Sequence, residues 1–191
     1  GFKQETVEVL AQWSGVPVYN GLTDLYHPTQ ILADFMTIEE SLGSLKGRKL
    51  VFVGDSRNNM ANSLMIGSAK MGLHFVACGP ESLHTDPAIV SKCKEIAKQS
   101  GATIKVTEDI DSALKDADAV YTDVWASMGE EAKLQERIAL LKPYQVNAEM
   151  MKKTGKVETI FLHCLPAVKG NEVTEDVFES PASRVFEEAE N

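Results

Sequence analysis

Short apolar runs alternate with amphipathic stretches along this chain, and the alternation is regular from about residue 46 onward. Before that point the pattern is looser. Residues 2–13 (FKQETVEVLAQW) space Phe2, Val7, Leu10 and Ala11 like one face of a helix. Residues 15–20 (GVPVYN) predict a short strand followed by turn residues. Pro28 suits a first helical position, and a helix from there to about residue 41 carries Ile31, Phe35 and Ile38 on one side. Gly43 to Gly47 is a short connector and a candidate boundary.

The regular part predicts strands over 49–53, 74–78, 103–106, 119–123 and 157–162. Helices are predicted between them. One runs over 59–71 and is closed by Gly72; a second runs to residue 100, with Asp86 as its cap, Pro87 in its first turn and Gly101 as its stop. Shorter helices are predicted over 110–115, 130–140 and 147–153. Strands alternating with helices imply right-handed crossovers. The expected fold is therefore a doubly wound α/β domain over residues 46–191, with a parallel sheet covered by helices on both faces. Residues 1–45 read as the tail of a preceding domain plus a linking helix.

Composition narrows the function classes. The 191 residues are 43% hydrophobic, enough for one substantial core. The formal net charge of -9, with no basic block to break it, would repel a nucleic acid. No apolar run approaches the length of a membrane span, and the N-terminus has no signal-peptide pattern. Three cysteines without a CxxC argue against a disulfide framework and for a reducing, cytoplasmic setting. The scattered histidines and cysteines show no metal-ligand spacing, so neither a metal nor another cofactor is expected. The chain starts without Met inside an expected helix and ends without a stop signal, as a piece of a longer protein would.

Four polar clusters stand at predicted element junctions. His27-Pro28-Thr29-Gln30 opens a helix, where backbone N–H groups and the helix dipole favour anions; His27 and Gln30 can face one side and bind the carbonyl oxygen and amino group of one small ligand. Gly54-Asp55-Ser56-Arg57-Asn58-Asn59 joins a strand to a helix without the glycine spacing of a dinucleotide site. Its amides fit a smaller anion such as an amino-acid carboxylate, although Asn58 or Asn59 is equally an ordinary cap. Asp123 ends a strand before Ser127-Met128-Gly129-Glu130; its carboxylate could hold an ammonium group, while Ser127 and Glu130 have capping-box spacing. Phe161-Leu162-His163-Cys164-Leu165-Pro166 ends a buried strand with a thiol, which is as readily a small buried hydrophobe. Trp13 and Trp125, with the Met and Phe residues, read as packing, and the acidic tail around Glu188 reads as a solvated helix start.

Taken together, these clusters resemble the ornithine carbamoyltransferase family. His27-Pro28-Thr29-Gln30 resembles its carbamoyl-phosphate motif, Asp123 with Ser127-Met128-Gly129 its ornithine loop, and His163-Cys164-Leu165-Pro166 its thiol-bearing motif. The closing Glu179-Ser180-Pro181 and Phe186-Glu187-Glu188-Ala189-Glu190-Asn191 also resemble the family, and the similarity runs essentially end to end in order. Within the superfamily, an aspartate-specific relative would carry Pro at the position of Cys164, and neither it nor a putrescine-specific one would carry Ser-Met-Gly.

The resemblance implies transfer of a carbamoyl group from carbamoyl phosphate to the δ-amine of L-ornithine, as part of arginine metabolism. It assigns His27, Gln30, Cys164 and Leu165 to carbamoyl phosphate, and Asn59, Asp123, Ser127 and Met128 to ornithine. His27, Gln30, Asp123 and Cys164 take catalytic roles, with no metal, nucleotide or covalent intermediate. The family's Ser-Thr-Arg-Thr phosphate loop does not occur in these residues, so the chain alone is expected to be nearly inactive. A trimer, or a multiple of trimers, is implied for the parent protein, and a monomer is conceivable for the chain alone. The alternatives are an amino-acid-binding domain without catalysis and a carbamoyltransferase for a related amino acid.

Overall fold

A computed structural model describes residues 3–125 and 134–191, Leu134 by its backbone alone. Five parallel strands form one sheet in the order β3-β2-β1-β4-β5: β1 (Lys49–Val53), β2 (His74–Cys78), β3 (Ile104–Thr107), β4 (Ala119–Thr122) and β5 (Ile160–His163). Each lies within three residues of its expected boundaries. The helices are α1 (Gln4–Trp13), α2 (Pro28–Leu42), α3 (Asn59–Met71), α4 (Pro87–Ser100), α5 (Ile110–Leu114), α6 (Leu134–Leu141), α7 (Ala148–Lys152), α8 (Glu175–Phe178) and α9 (Val185–Glu190).

The pleat sorts the strand residues into two cores. Leu50, Phe52, Phe75, Ala77, Tyr121 and Leu162 face α2, α3 and α4, where Ile31, Phe35, Ile38, Leu64 and Cys93 meet them. Their neighbours Val51, Val53, Val76, Val120 and Phe161 face the other way, against Leu114, Leu141, Met150, Val177 and Val185. The sheet is thus covered on both faces, as the alternation predicts. Capping follows the sequence signals: Asn58 accepts from the N–H of Ala61, Asp86 from that of Ala88, and Gly72 and Gly101 close their helices with positive φ. Glycine is required at position 79, where a Cβ would sit 2.1 Å from the carbonyl oxygen of Gly54; this close approach seats the loop after β1 beside β2.

The N-terminal part departs from expectation. Residues 15–20 form no strand. Pro17 has no N–H to donate, no neighbouring strand pairs with the segment among the described residues, and Val16 and Tyr19 are exposed. Trp13 does not pack: it is 78% exposed, on a helix that buries none of its residues. Trp125 is buried as expected. Phe2, Ser127, Met128, Gly129 and Glu130, with the expected capping box and the start of the 130–140 helix, lie outside the described residues. Among the described residues no helix is long and apolar enough to cross a membrane.

Candidate active site

The strand order reverses its sense between β1 and β4, so the chains leaving their C-terminal ends depart to opposite faces and open a crevice. Val53 and Thr122 are register partners at that edge. The loop after β1 therefore faces Asp123, the first residue beyond β4. Asn58 joins them: while its Oδ1 caps α3, its Nδ2 donates to Asp123 Oδ2 at 2.9 Å. Cap and site residue are the same side chain. Asn59, the expected ligand contact, donates its amide to the carbonyl of Thr23 at 2.8 Å. Beside them, Asp55 is held by Arg57 and by the buried Arg137; burial alone would raise its carboxyl, but the guanidinium groups bring it below the usual range.

The next strand brings the thiol. Cys164 follows β5 directly, and its Sγ donates to Asp123 Oδ1 at 3.3 Å, an oxygen that also accepts from the N–H of Val124 at 2.7 Å. Burial, and after it the charge of Asp123, push the Cys164 thiol well above its ordinary value. The sulfur is thus a hydrogen-bond donor and not a thiolate nucleophile. Burial also raises the Asp123 carboxyl, opposed by the donors around it. His163, one residue earlier, is buried. Its Nδ1 accepts from the N–H of Leu165 at 2.9 Å, which leaves the hydrogen on Nε2, facing Glu172 Oε1 at 3.3 Å. Glu172 is fully buried and accepts from the N–H of Val168 as well.

A cavity of about 240 Å³ lies against this edge, lined by His27, Thr29, Gln30, His163, Cys164 and Glu188 among others. His27 caps no N–H of α2 with its side chain; its backbone N–H donates to Ser63 Oγ at 2.8 Å, which ties the start of α2 to α3. Its Nδ1 lies 3.4 Å from Thr29 Oγ1. Burial pushes His27 below the usual imidazole range, against an upward pull from Asp123. Gln30 points its Nε2 at Asp34 Oδ1, 2.9 Å away, and at Glu188 Oε1, 3.4 Å away.

Glu188 is the main correction to the sequence reading. It is buried, not solvated, and accepts from Tyr121 Oη at 3.0 Å and from the backbone N–H of His163 at 2.9 Å. Helix α9 puts Val185 into one core and Glu188, one turn on, into the site. Asp34 also escapes a reading of the sequence, although a signal exists: it stands among Ile31, Phe35 and Ile38 on the apolar side of α2, where a carboxyl needs a reason.

The structure therefore brings His27, Gln30, Asp123, Cys164 and Leu165 to one edge and sets Asn59 beside it; Ser127 and Met128 lie outside the described residues. Asp123, His163 and Cys164 hold potential metal-donor atoms within 4.8 Å of one another, the one such group among the described residues. The His163 ring nitrogens already face Leu165 and Glu172, so no imidazole lone pair is left for an ion. Chemically, the edge offers a carboxylate for a cation, a thiol S–H, and an imidazole and an amide for a small planar group.

Comparison with known proteins points to one family. A family described as aspartate/ornithine carbamoyltransferase, Asp/Orn binding domain, matches residues 46–191, and its companion, the carbamoyl-P binding domain, matches residues 1–40. The chain is 65% identical over 191 residues to an ornithine carbamoyltransferase from Thermotoga petrophila, covering all of this chain and 61% of that protein. It is 54% identical to a catabolic ornithine carbamoyltransferase from Bacillus licheniformis, covering 62% of it. Among solved structures, ornithine carbamoyltransferase from Pyrococcus furiosus superposes with a TM-score of 0.94 at 46% identity, over 99% of this chain and 60% of that one.

Proposed function

The chain belongs to the aspartate/ornithine carbamoyltransferase family, and from that premise we propose that it serves transfer of a carbamoyl group from carbamoyl phosphate to the δ-amine of L-ornithine, giving L-citrulline and phosphate. It spans about 61% of the length of the relatives it matches. In this proposal residues 1–45 belong to the carbamoyl-phosphate side, with α2 as the bridge, and residues 46–191 to the ornithine side. A homotrimer or a multiple of it, in the cytoplasm, belongs to the same proposal.

The observation that carries the reading is the hydrogen-bonded chain Asn58–Asp123–Cys164 at the edge of the cavity lined by His27 and Gln30. An alkylammonium group resembles lysine, with a pKa of about 10.4, so ornithine arrives charged. Asp123 holds that ammonium group. The ammonium group gives one proton to water, and the neutral amine then attacks the carbamoyl carbon. The C–N bond forms, the C–O bond to phosphate breaks, phosphate leaves with the electron pair, and the surplus amine proton goes to phosphate or water. Charge grows on the carbonyl oxygen during attack, and His27 is the donor assigned to it; losing such a donor typically costs about a hundred- to a thousandfold in rate. Cys164 keeps its proton and orients Asp123. Leu165 has given its N–H to His163, so its carbonyl is the group it offers. Ser127 and Met128 are assigned to the ornithine backbone on the family motif.

The test is citrulline formation, measured for these 191 residues and for the chain joined to the part of the Thermotoga petrophila relative outside the match. Ornithine should support a rate at least about tenfold above putrescine or aspartate, since a site built for a polar group rejects analogues lacking it. Equal or preferred turnover of aspartate would overturn the reading.

A further inference from the structure

Beneath Gln30 two acidic side chains are buried against each other. Asp34 is fully buried and Glu188 nearly so, and both accept from the same Gln30 amide nitrogen, at 2.9 and 3.4 Å, which sets the two carboxyl groups side by side. Two bare carboxylates cannot share such a place. The donors decide which one is charged. Glu188 accepts from Tyr121 Oη, from the His163 N–H and from Gln30. Asp34 receives Gln30 on Oδ1, and its Oδ2 is buried with no donor among the described residues. A proton carried on Asp34 and donated to Glu188 removes both the orphaned oxygen and the repulsion. Burial, with Glu188 beside it, raises the Asp34 carboxyl well above its ordinary value.

We propose that Asp34 and Glu188 are positioning residues that share one proton and thereby fix the side-chain amide of Gln30, Nε2 inward and Oε1 toward the cavity. With both acceptors below it, the amide has one satisfied orientation. Gln30 then presents an acceptor to its ligand. A carbamoyl group offers an NH₂ donor and a carbonyl acceptor, so Gln30 takes the NH₂ and leaves the carbonyl oxygen to His27. A flipped Gln30 would set N–H groups against N–H groups. The pair also ties three elements to one point: α2 through Asp34, α9 through Glu188 and the end of β5 through the His163 N–H. The role given to Gln30 rests on the carbamoyl-transfer reading; the shared proton does not.

Two measurements separate these parts. Difference infrared spectroscopy of the native protein should show a protonated-carboxyl band that disappears in Asp34→Asn. Calorimetry with carbamoyl phosphate, on the chain joined to the rest of the Thermotoga petrophila relative, should give Asp34→Asn an affinity within about threefold of native, because the asparagine amide donates to Glu188 as the acid did. Asp34→Leu and Glu188→Gln should bind about tenfold or more weakly, since the first removes the nearer of the two acceptors that fix Gln30 and the second removes the charge that receives the Asp34 proton. An absent band, a band that survives in Asp34→Asn, or Asp34→Asn as weak as Asp34→Leu would each overturn the proposal, and the native band keeps the test valid if a variant fails to fold. A joined protein with Asp34, Glu188 and Gln30 intact that binds no carbamoyl phosphate sinks the role of Gln30, while the band still decides where the proton sits.

Discussion

The strand tips around Asp123 and the cavity floor around Glu188 both bury acid, but they stabilise it in different ways. At the strand tips each Asp123 oxygen has its own donors: Asn58 on one, Cys164 and Val124 on the other. The carboxylate can stay charged with room for an incoming cation. At the floor, two carboxyl groups meet a set of donors sufficient for one charge, and the second acid keeps its proton. The first arrangement suits binding a ligand; the second is closed on itself and suits holding a neighbour still. Proximity to one cavity therefore does not give buried acids one role.

The largest effect should come from breaking the strand-tip carboxylate. Asp123→Ala removes the proposed partner of the ornithine ammonium and strands Asn58 and Cys164. Truncating one side of a buried charge pair costs about 2–5 kcal/mol. The loss should fall on kcat/KM for ornithine, with carbamoyl phosphate affinity changed far less. Equal loss of both affinities in calorimetry would mean that Asp123 supports the fold and not the amino acid.

The same contrast explains what is legible in sequence. The strand-tip residues stand where a periodic run stops, so position along the chain raises Asp123 and Cys164 as candidates, and the family resemblance supplies their roles. The pattern of apolar strands and Gly-closed helices places the core of the sheet within a few residues. Asp34 and Glu188 lie inside amphipathic helices, where an acidic residue is assumed to face water, and nothing local says that α2 and α9 meet over β5. Their pairing links residues 34 and 188, far apart in the chain, and such contacts have no periodic signature. Which of Asn58 and Asn59 reaches Asp123 is not legible either, for another reason. Both sit at a helix start, and which of them turns toward β4 depends on the entry geometry of α3, not on residue type. The expected strand at 15–20 shows the reverse limit: local propensity predicts it, but a strand needs a partner.

Tyr121→Phe tests the floor directly. Tyr121 is fully buried, stacks on Phe52 with ring centroids 6.1 Å apart, and gives its hydroxyl hydrogen to Glu188. The substitution keeps the ring and deletes one donor. A hydrogen bond to a charged acceptor is worth about 1.5–3 kcal/mol, against about 0.5–1.5 kcal/mol for a neutral one. Chemical denaturation should therefore show a loss in the upper range if Glu188 is the ionised partner. In the Asp34→Asn background the loss should be the same, because the charge stays on Glu188. A loss only in the lower range in the native background would place the charge on Asp34 and weaken the contrast between the two regions.

The smallest effect concerns the thiol that the strand tips hold. Burial and the adjacent carboxylate both raise the Cys164 thiol, so the native protein should react slowly with a thiol reagent near a pH of about 8, where little thiolate exists. Asp123→Asn removes the negative charge and leaves the burial. The thiol then falls toward its ordinary value, and labelling at Cys164 should quicken by about tenfold or less, since one pKa unit corresponds to a tenfold change in thiolate. Raising the pH should accelerate the native protein more than the variant, because the native thiol has further to titrate. Cys78 supplies the internal control: burial holds it at about 12, chiefly without help from Asp123, so its labelling should not respond to the substitution. If both cysteines quicken together, the variant has loosened the whole sheet edge. If neither does, the charge of Asp123 is not felt at the sulfur, and the strand tips stabilise their acid by some other route than donation from Asn58, Cys164 and Val124.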